Sequence, residues 1–145
     1  MTAEVRPAAG PEEVEQAFAV RRAVFMDEQG VLEPEEFDGL DADALHLVAV
    51  ADGRVVATCR LLPAGDGAMK FQRLAVLAGA RRRGIAARLL AEAESHARAA
   101  GSRRMVLDAQ TGALPLYTGA GYAPEGPTFV DARIEHQRMV KDLDA

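Results

Sequence analysis

The sequence predicts an α+β fold built on a mixed, mostly antiparallel sheet, and three observations carry that expectation. Two strand-like runs rich in Val and Leu flank Asp52-Gly53, the two-residue connection most characteristic of a tight antiparallel hairpin. A strand over 69–76, a helix over 84–100 and a strand over 105–109 form a crossover unit, which makes those two strands parallel neighbours or nearly so. Ahead of them, Val14, Ala17, Phe18, Val24 and Phe25 recur at helical spacing over residues 11–26.

Pro11 suits the first position of that helix, Glu12 and Glu13 complement the positive end of its dipole, and Gly30 is its expected stop. From there to residue 44 the chain is acidic, holds Pro34 and Gly39, and keeps no period, so it reads as a surface loop with at most one short turn. Loops of that length are usually functional or mobile. Residues 46–51 and 54–62 are expected to pair, the second strand ending at Pro63 and the turn Ala64-Gly65-Asp66-Gly67. In the next strand Met69, Phe71 and Arg73 share one face, yet Leu74, Ala75 and Val76 are all apolar, the change of face that a β-bulge produces. The helix over 84–100 carries Ile85, Leu89, Ala93 and Ala97 on one stripe, with Gly101 as its C-cap. A short helix over 113–118, punctuated by Gly119 and Gly121, follows the strand at 105–109, and 122–143 reads as two strands joined through 124–127. The order is βα, three antiparallel strands, αβαβ and a final strand, with no internal repeat.

A chain of 145 residues, 49% hydrophobic, is the size of one ordinary domain, and residues 1–145 are expected to form a single one that needs no disulfide or metal staple. Cys59 is the only cysteine and reads as a core residue; three scattered histidines, His46, His96 and His136, lack the paired spacing of a metal site. No secretory segment is evident and no apolar run approaches the roughly 18 residues of a spanning helix, so a cytoplasmic protein without membrane contact is expected. The net charge of −5 is unevenly distributed. Residues 12–43 hold eleven acids and two bases, residues 73–104 eight arginines and two acids. A solvated helix face explains such clusters as well as ligand binding does; if they bind, the second suits an anion and the first a cation. An acidic chain with no Trp and no interleaving of basic and aromatic residues argues against nucleic acid.

The turn Arg81-Arg82-Arg83-Gly84-Ile85-Ala86 opens the long helix, and unpaired N–H groups at the positive end of a helix dipole are a ready anion site. It has neither the Gly-Lys-Ser/Thr of a P-loop nor the three glycines of a dinucleotide fingerprint. Taken alone, Arg-x-x-Gly-x-Ala fits an ordinary solvated helix start equally well.

Strand, Arg81-x-x-Gly84-x-Ala86, long helix, strand, then Leu116-Tyr117 and Gly119-Ala120-Gly121-Tyr122 together resemble the GNAT superfamily of acyl-CoA-dependent N-acetyltransferases, over roughly residues 14–140. Val24-Phe25 with Glu28-Gln29, the acids from Asp38 to Asp43 ahead of His46, Leu107-Asp108-Ala109-Gln110 and Glu135-His136 look most like its ElaA/YjcF-type branch. The resemblance implies helices on both faces of the sheet and a parallel strand pair that splays apart. It also implies that Leu74, Ala75 and Val76 offer main-chain groups to the pantetheine arm of acetyl-CoA, the co-substrate. Amides of Arg81, Arg82, Arg83, Gly84, Ile85 and Ala86 would hold its pyrophosphate. Many members have Gly where this chain has Ala86, and both residues occur in the family pattern.

Acetyl transfer to an amine needs a base, an oxyanion donor and a proton for the departing thiolate. The resemblance implies that Tyr117 is the acid; the alternative is an aromatic packing residue whose hydroxyl is satisfied locally. The Val76 amide is the expected oxyanion donor. Glu28, Asp108 and His136 are the candidate bases, with Glu28 preferred. Read without the resemblance, Glu28 is a surface glutamate and His136 a structural strand histidine. Gln29, Asp108 and Gln110 are candidates for acceptor binding through hydrogen bonds. The expected activity is direct transfer of acetyl from acetyl-CoA to a primary amine, of a small molecule or a peptide, that is cationic in keeping with the acidic first third. The alternative is a non-catalytic acyl-CoA sensor. An exposed final strand leaves a homodimer open.

Overall fold

The structure is a computed structural model and describes residues 2–143. Strand β1 (Glu4–Pro7) leads into helix α1 (Pro11–Arg21), which continues as a π-helical stretch over Arg22–Glu28. After the short α2 (Glu33–Glu36) and a 3₁₀ turn at Asp41–Asp43 come β2 (Leu45–Ala51), β3 (Arg54–Gly65) and β4 (Ala68–Val76). Helix α3 (Ile85–Ala99) crosses to β5 (Arg104–Gln110); α4 (Leu114–Gly119), β6 (Ala123–Pro124), β7 (Phe129–Asp131) and β8 (Ile134–Asp142) complete the chain. The sheet order is β1-β2-β3-β4-β5-β8-β6, with β7 paired to β8. The only parallel pair among the described residues is β4 with β5.

Alternation along the central strands serves two cores on opposite faces. Leu47 and Ala49 belong with Ile85, Leu89, Ala93 and Ala97 of α3 on one side, while Val48 and Ala75 meet Ala17 and Val20 of α1 on the other. The apolar stripe of α3 is the predicted one, and all four of its residues are buried. The helix ends as Gly101, at φ +84°, donates its N–H to Arg98 and Ser102 donates to Ala97, the paired bonds of a Schellman cap. Cys59 lies in this core, where burial pushes its thiol upward. Among the described residues no helix is long and apolar enough to cross a membrane.

Three expectations change. Pro63 does not end β3: the strand runs on to Gly65, and the reversal is confined to Asp66 and Gly67, both at positive φ. The register shift between Pro63 and Gly65 accommodates a residue with no N–H to donate. The acidic loop contains two helical turns, α2 and Asp41–Asp43, instead of at most one. The tail holds three strands rather than two, because β7 and β8 turn at Ala132 and Arg133, which adopt φ +49° and +66°.

Glu35, Glu36, Asp38 and Asp41 of that loop face arginines within the fold. Arg21 and Arg60 are fully buried; Arg21 bonds Glu36 at 2.7 Å and Asp41 at 2.6 Å, and Arg60 bonds Asp38 at 2.7 Å and Asp41 at 2.9 Å. Negative charge that the sequence offered to a cationic ligand is thus largely neutralised internally. Hydrogen bonding from Arg60 lowers the Asp38 carboxyl to about 2, and Arg6 does the same for Glu13. Both folded pKa values lie below the unfolded ones, so their stabilising contribution is complete above about pH 5 and lost as pH falls towards 2. Glu36 runs the opposite way, since burial raises its pKa and protonation therefore favours the folded state. A series of melting temperatures is expected to fall between about pH 5 and 2, and Asp38→Asn to flatten that fall; an unaltered slope in the variant would remove Asp38 from the account.

Candidate active site

A cavity of about 460 Å³ opens where β4 and β5 part. The two strands pair only from Ala68 with Arg104 to Phe71 with Leu107. Beyond that point β4 bulges: Thr58 opposes Ala75 and Arg60 opposes Gln72, so Arg73 and Leu74 together face Cys59. The predicted bulge is therefore present, and Arg73 within it takes φ +58°. On the opposite wall the π-helical turn, which inserts an extra residue into the helix, delivers Glu28 and Gln29 to the cavity.

One rim presents backbone. Leu77 N–H donates to Val56 on the β3 side, and strand alternation then turns the N–H and C=O of Val76 into the gap. Arg81 Nε donates to the Val76 carbonyl at 2.9 Å, while its Nη2 grips both Glu28 oxygens at 2.7 and 2.9 Å. At the start of α3, Gly84 at φ +75° turns the chain into the helix, and the first helical bond runs from Arg88 N–H to Gly84 C=O. The N–H groups of Ile85, Ala86 and Ala87 are left without helical acceptors, and no side chain caps them. Arg82 and Arg83 stand exposed beside this end, with no ion pair among the described residues, and the buried Ile85 side chain anchors the turn. Arg81 departs from the expected run, because its amide makes a long bond of 3.4 Å to Ala78. A row of open amides beside unpaired arginines, continuous with an unpaired strand edge, fits a phosphate-bearing thioester with an amide-containing arm.

The two tyrosines differ in what holds them. Tyr122 donates to Glu94 at 2.9 Å, whereas the Tyr117 hydroxyl has no hydrogen bond among the described residues and lines the cavity. Its ring packs edge-on to Phe71 and Tyr122, and burial pushes the phenol well above its usual range, so it keeps its proton.

Across the cavity the floor is polar. Asp108 is gripped by Arg138 at 3.0 Å and Lys70 at 3.3 Å, and Arg138 and Lys70 hold its carboxyl below the usual range. Gln110 Nε2 donates to Gln29 Oε1 at 2.8 Å, joining floor to wall. His136, paired in register with Gln110 and stacked on Phe129, has Nδ1 at 2.7 Å from the Ile134 carbonyl. A carbonyl only accepts, so Nδ1 carries the proton of the neutral ring and Nε2 keeps its lone pair. All three candidate bases therefore line one cavity, but two of them are ion-paired carboxylates. His46 and His96 lie elsewhere, bonded to the Asp41 carbonyl and paired with Glu92. Sequence reasoning missed Glu35, Glu36, Lys70, Gln72, Arg73 and Asp131 as polar lining residues; the face shared by Met69, Phe71 and Arg73 was the available signal for Arg73.

Comparisons with known proteins bear on the family and the fold. A family model described as an acetyltransferase (GNAT) domain matches residues 7–143. The uncharacterized N-acetyltransferase YjcF of Bacillus subtilis is 36% identical over 132 residues, 90% of this chain and 94% of that protein. An acyl-CoA N-acyltransferase from Pseudomonas aeruginosa has a TM-score of 0.82 at 26% identity, covering 97% of this chain and 99% of that one. Escherichia coli ElaA shares the fold, with a TM-score of 0.85 at 19% identity over 97% and 99% of the two chains.

Proposed function

The chain belongs to the GNAT acetyltransferase family, and from that premise we propose that it moves an acetyl group from acetyl-CoA directly to a primary amine. The observation that carries this reading is the Tyr117 hydroxyl, which keeps its proton and has no hydrogen bond among the described residues, on a residue that lines the cavity where the strands part. A pure binding module has no use for an untied proton donor there. Acetyl-CoA, when bound, supplies a thioester whose acyl carbon is activated towards amines. The open amides of Arg82 to Ala87 would hold its phosphates, and the Leu74 and Val76 main chain its arm.

His136 Nε2 takes a proton from the acceptor nitrogen, directly or through a water, as that nitrogen bonds to the acyl carbon. The Val76 N–H faces the carbonyl oxygen on which charge develops. Tyr117 donates its proton to the sulfur as the carbon–sulfur bond breaks. Desolvation weakens the phenol as an acid, but it raises the proton affinity of a thiolate in the same site, so the pair remains matched. Glu28 is displaced from first choice as base because Arg81 engages both of its oxygens.

Saturating acetyl-CoA is expected to raise the melting temperature, by the equivalent of about 2.7 kcal/mol at 100 times its dissociation constant. Amines are then screened for thiol release, with mass spectrometry of the acetylated product. Binding without release from small amines or peptide amines would favour the sensor instead.

A further inference from the structure

The guanidinium of Arg73 reaches away from the strand that carries it. It contacts the Glu35 carbonyl at 3.3 Å, the Glu36 carbonyl at 3.2 Å, the Glu36 carboxylate at 3.3 Å and Asp38 at 3.2 Å. All four contacts lie on the segment that includes α2, whose Glu35 and Glu36 line the same cavity as Leu74 and Val76 of β4. The backbone of the same residue sits at φ +58°, in the bulge where β4 leaves β5. Such a conformation in a non-glycine residue persists only where the surroundings over-determine it. Here the surroundings are the carbonyls and carboxylates that grip the side chain.

We propose that Arg73 is the positioning residue that sets the acceptor wall against the thioester edge, a proposal that rests on the transferase function above. Its backbone opens the strand pair, and its side chain fixes residues 35–38 at the distance that opening requires. Because one residue does both, a shift of either wall is transmitted to the other. The two roles separate chemically: Arg73→Gly keeps the backbone at ease with positive φ and removes only the clamp, whereas Arg73→Lys keeps a cation that cannot span two carbonyls and two carboxylates.

Three readouts on the full chain test this. Acetyl-CoA affinity by calorimetry is expected to stay within about threefold of wild type in Arg73→Gly, because the strand edge is intact. Amide hydrogen exchange in residues 33–38 is expected to quicken about tenfold or more, and kcat/KM for the amine to fall about 10²-fold, with Arg73→Lys between wild type and Gly for both. Unchanged exchange in residues 33–38 would overturn the clamp, and acetyl-CoA affinity falling in step with turnover would overturn the division between backbone and side chain. Failure of the wild-type protein to bind acetyl-CoA would instead overturn the transferase function, while the exchange data still judge the clamp.

Discussion

Tyr117→Phe is expected to lower kcat for amine acetylation by about 10²-fold or more, with acetyl-CoA affinity within about threefold of wild type. The hydroxyl has no protein partner among the described residues, so its removal orphans no buried group and should change stability by less than about 0.5 kcal/mol. The ring remains packed between Phe71 and Tyr122, with centroids 6.4 and 6.0 Å away. Tyr122→Phe is the mirror control. It deprives buried Glu94 of a donor at 2.9 Å, and should cost about 1–3 kcal/mol of stability while sparing turnover. In Tyr117→Phe, kcat and kcat/KM falling together would mark an interaction made in the transition state. Because burial holds the Tyr117 phenol above its usual range, ionisation of this residue should cause no loss of rate up to about pH 10. Undiminished kcat in the Phe variant would remove Tyr117 as the acid.

What could be read from the sequence depended on whether a feature was local. Asp52-Gly53 announced its hairpin because its two residues tolerate positive φ, and they occur at +52° and +75°. The β7–β8 hairpin has the same kind of turn at Ala132 and Arg133, residues that announce nothing. It is supported from a distance, since Arg133 bonds Glu35 at 2.9 Å and the Gly30 carbonyl at 3.2 Å. The bulge in β4 was visible as a change of apolar face, and the anion turn as glycine beside arginines. The charge clusters were visible, but not that several of the acids are met by arginines of the same fold. Arg60 and Asp38 are 22 positions apart, Arg73 and Glu36 37, and Arg81 and Glu28 53. No periodicity within an element encodes which acid meets which arginine; the meeting is decided by how the loop folds back over the sheet. For the same reason Glu28, first choice as a base from its place in the chain, proved to be held by an arginine from the other side of the cavity.

Replacing Arg60 is expected to be the most damaging single change to stability. Its side chain is 0% exposed and its donors meet Asp38 at 2.7 and 3.0 Å, Asp41 at 2.9 Å and Gln72 at 3.2 Å. Arg60→Met keeps much of the volume but leaves Asp41, 15% exposed, with Arg21 as its remaining cation, and Asp38 with a 3.2 Å contact to Arg73 and the Leu40 N–H at 3.1 Å. Breaking a buried pair from one side typically costs about 3–5 kcal/mol, much of it the penalty of the stranded partner. A domain of this size is stable by only about 5–15 kcal/mol, so the loss should appear as a fall of about 10 °C in melting temperature. The stranded charge can be removed as well: adding Asp38→Asn to Arg60→Met should recover part of the loss, so the double variant falls short of the sum of the singles. Strict additivity would mean that the Arg60–Asp38 contact contributes little and that the loss comes from packing. Arg60→Lys should lie between, since an ammonium reaches one carboxylate but lacks the fork that meets two. The network also holds the segment that Arg73 grips from β4. If the transferase reading holds, Arg60→Met assayed well below its melting temperature should therefore weaken the amine KM before it alters acetyl-CoA affinity, which links the buried charges to the cavity they frame.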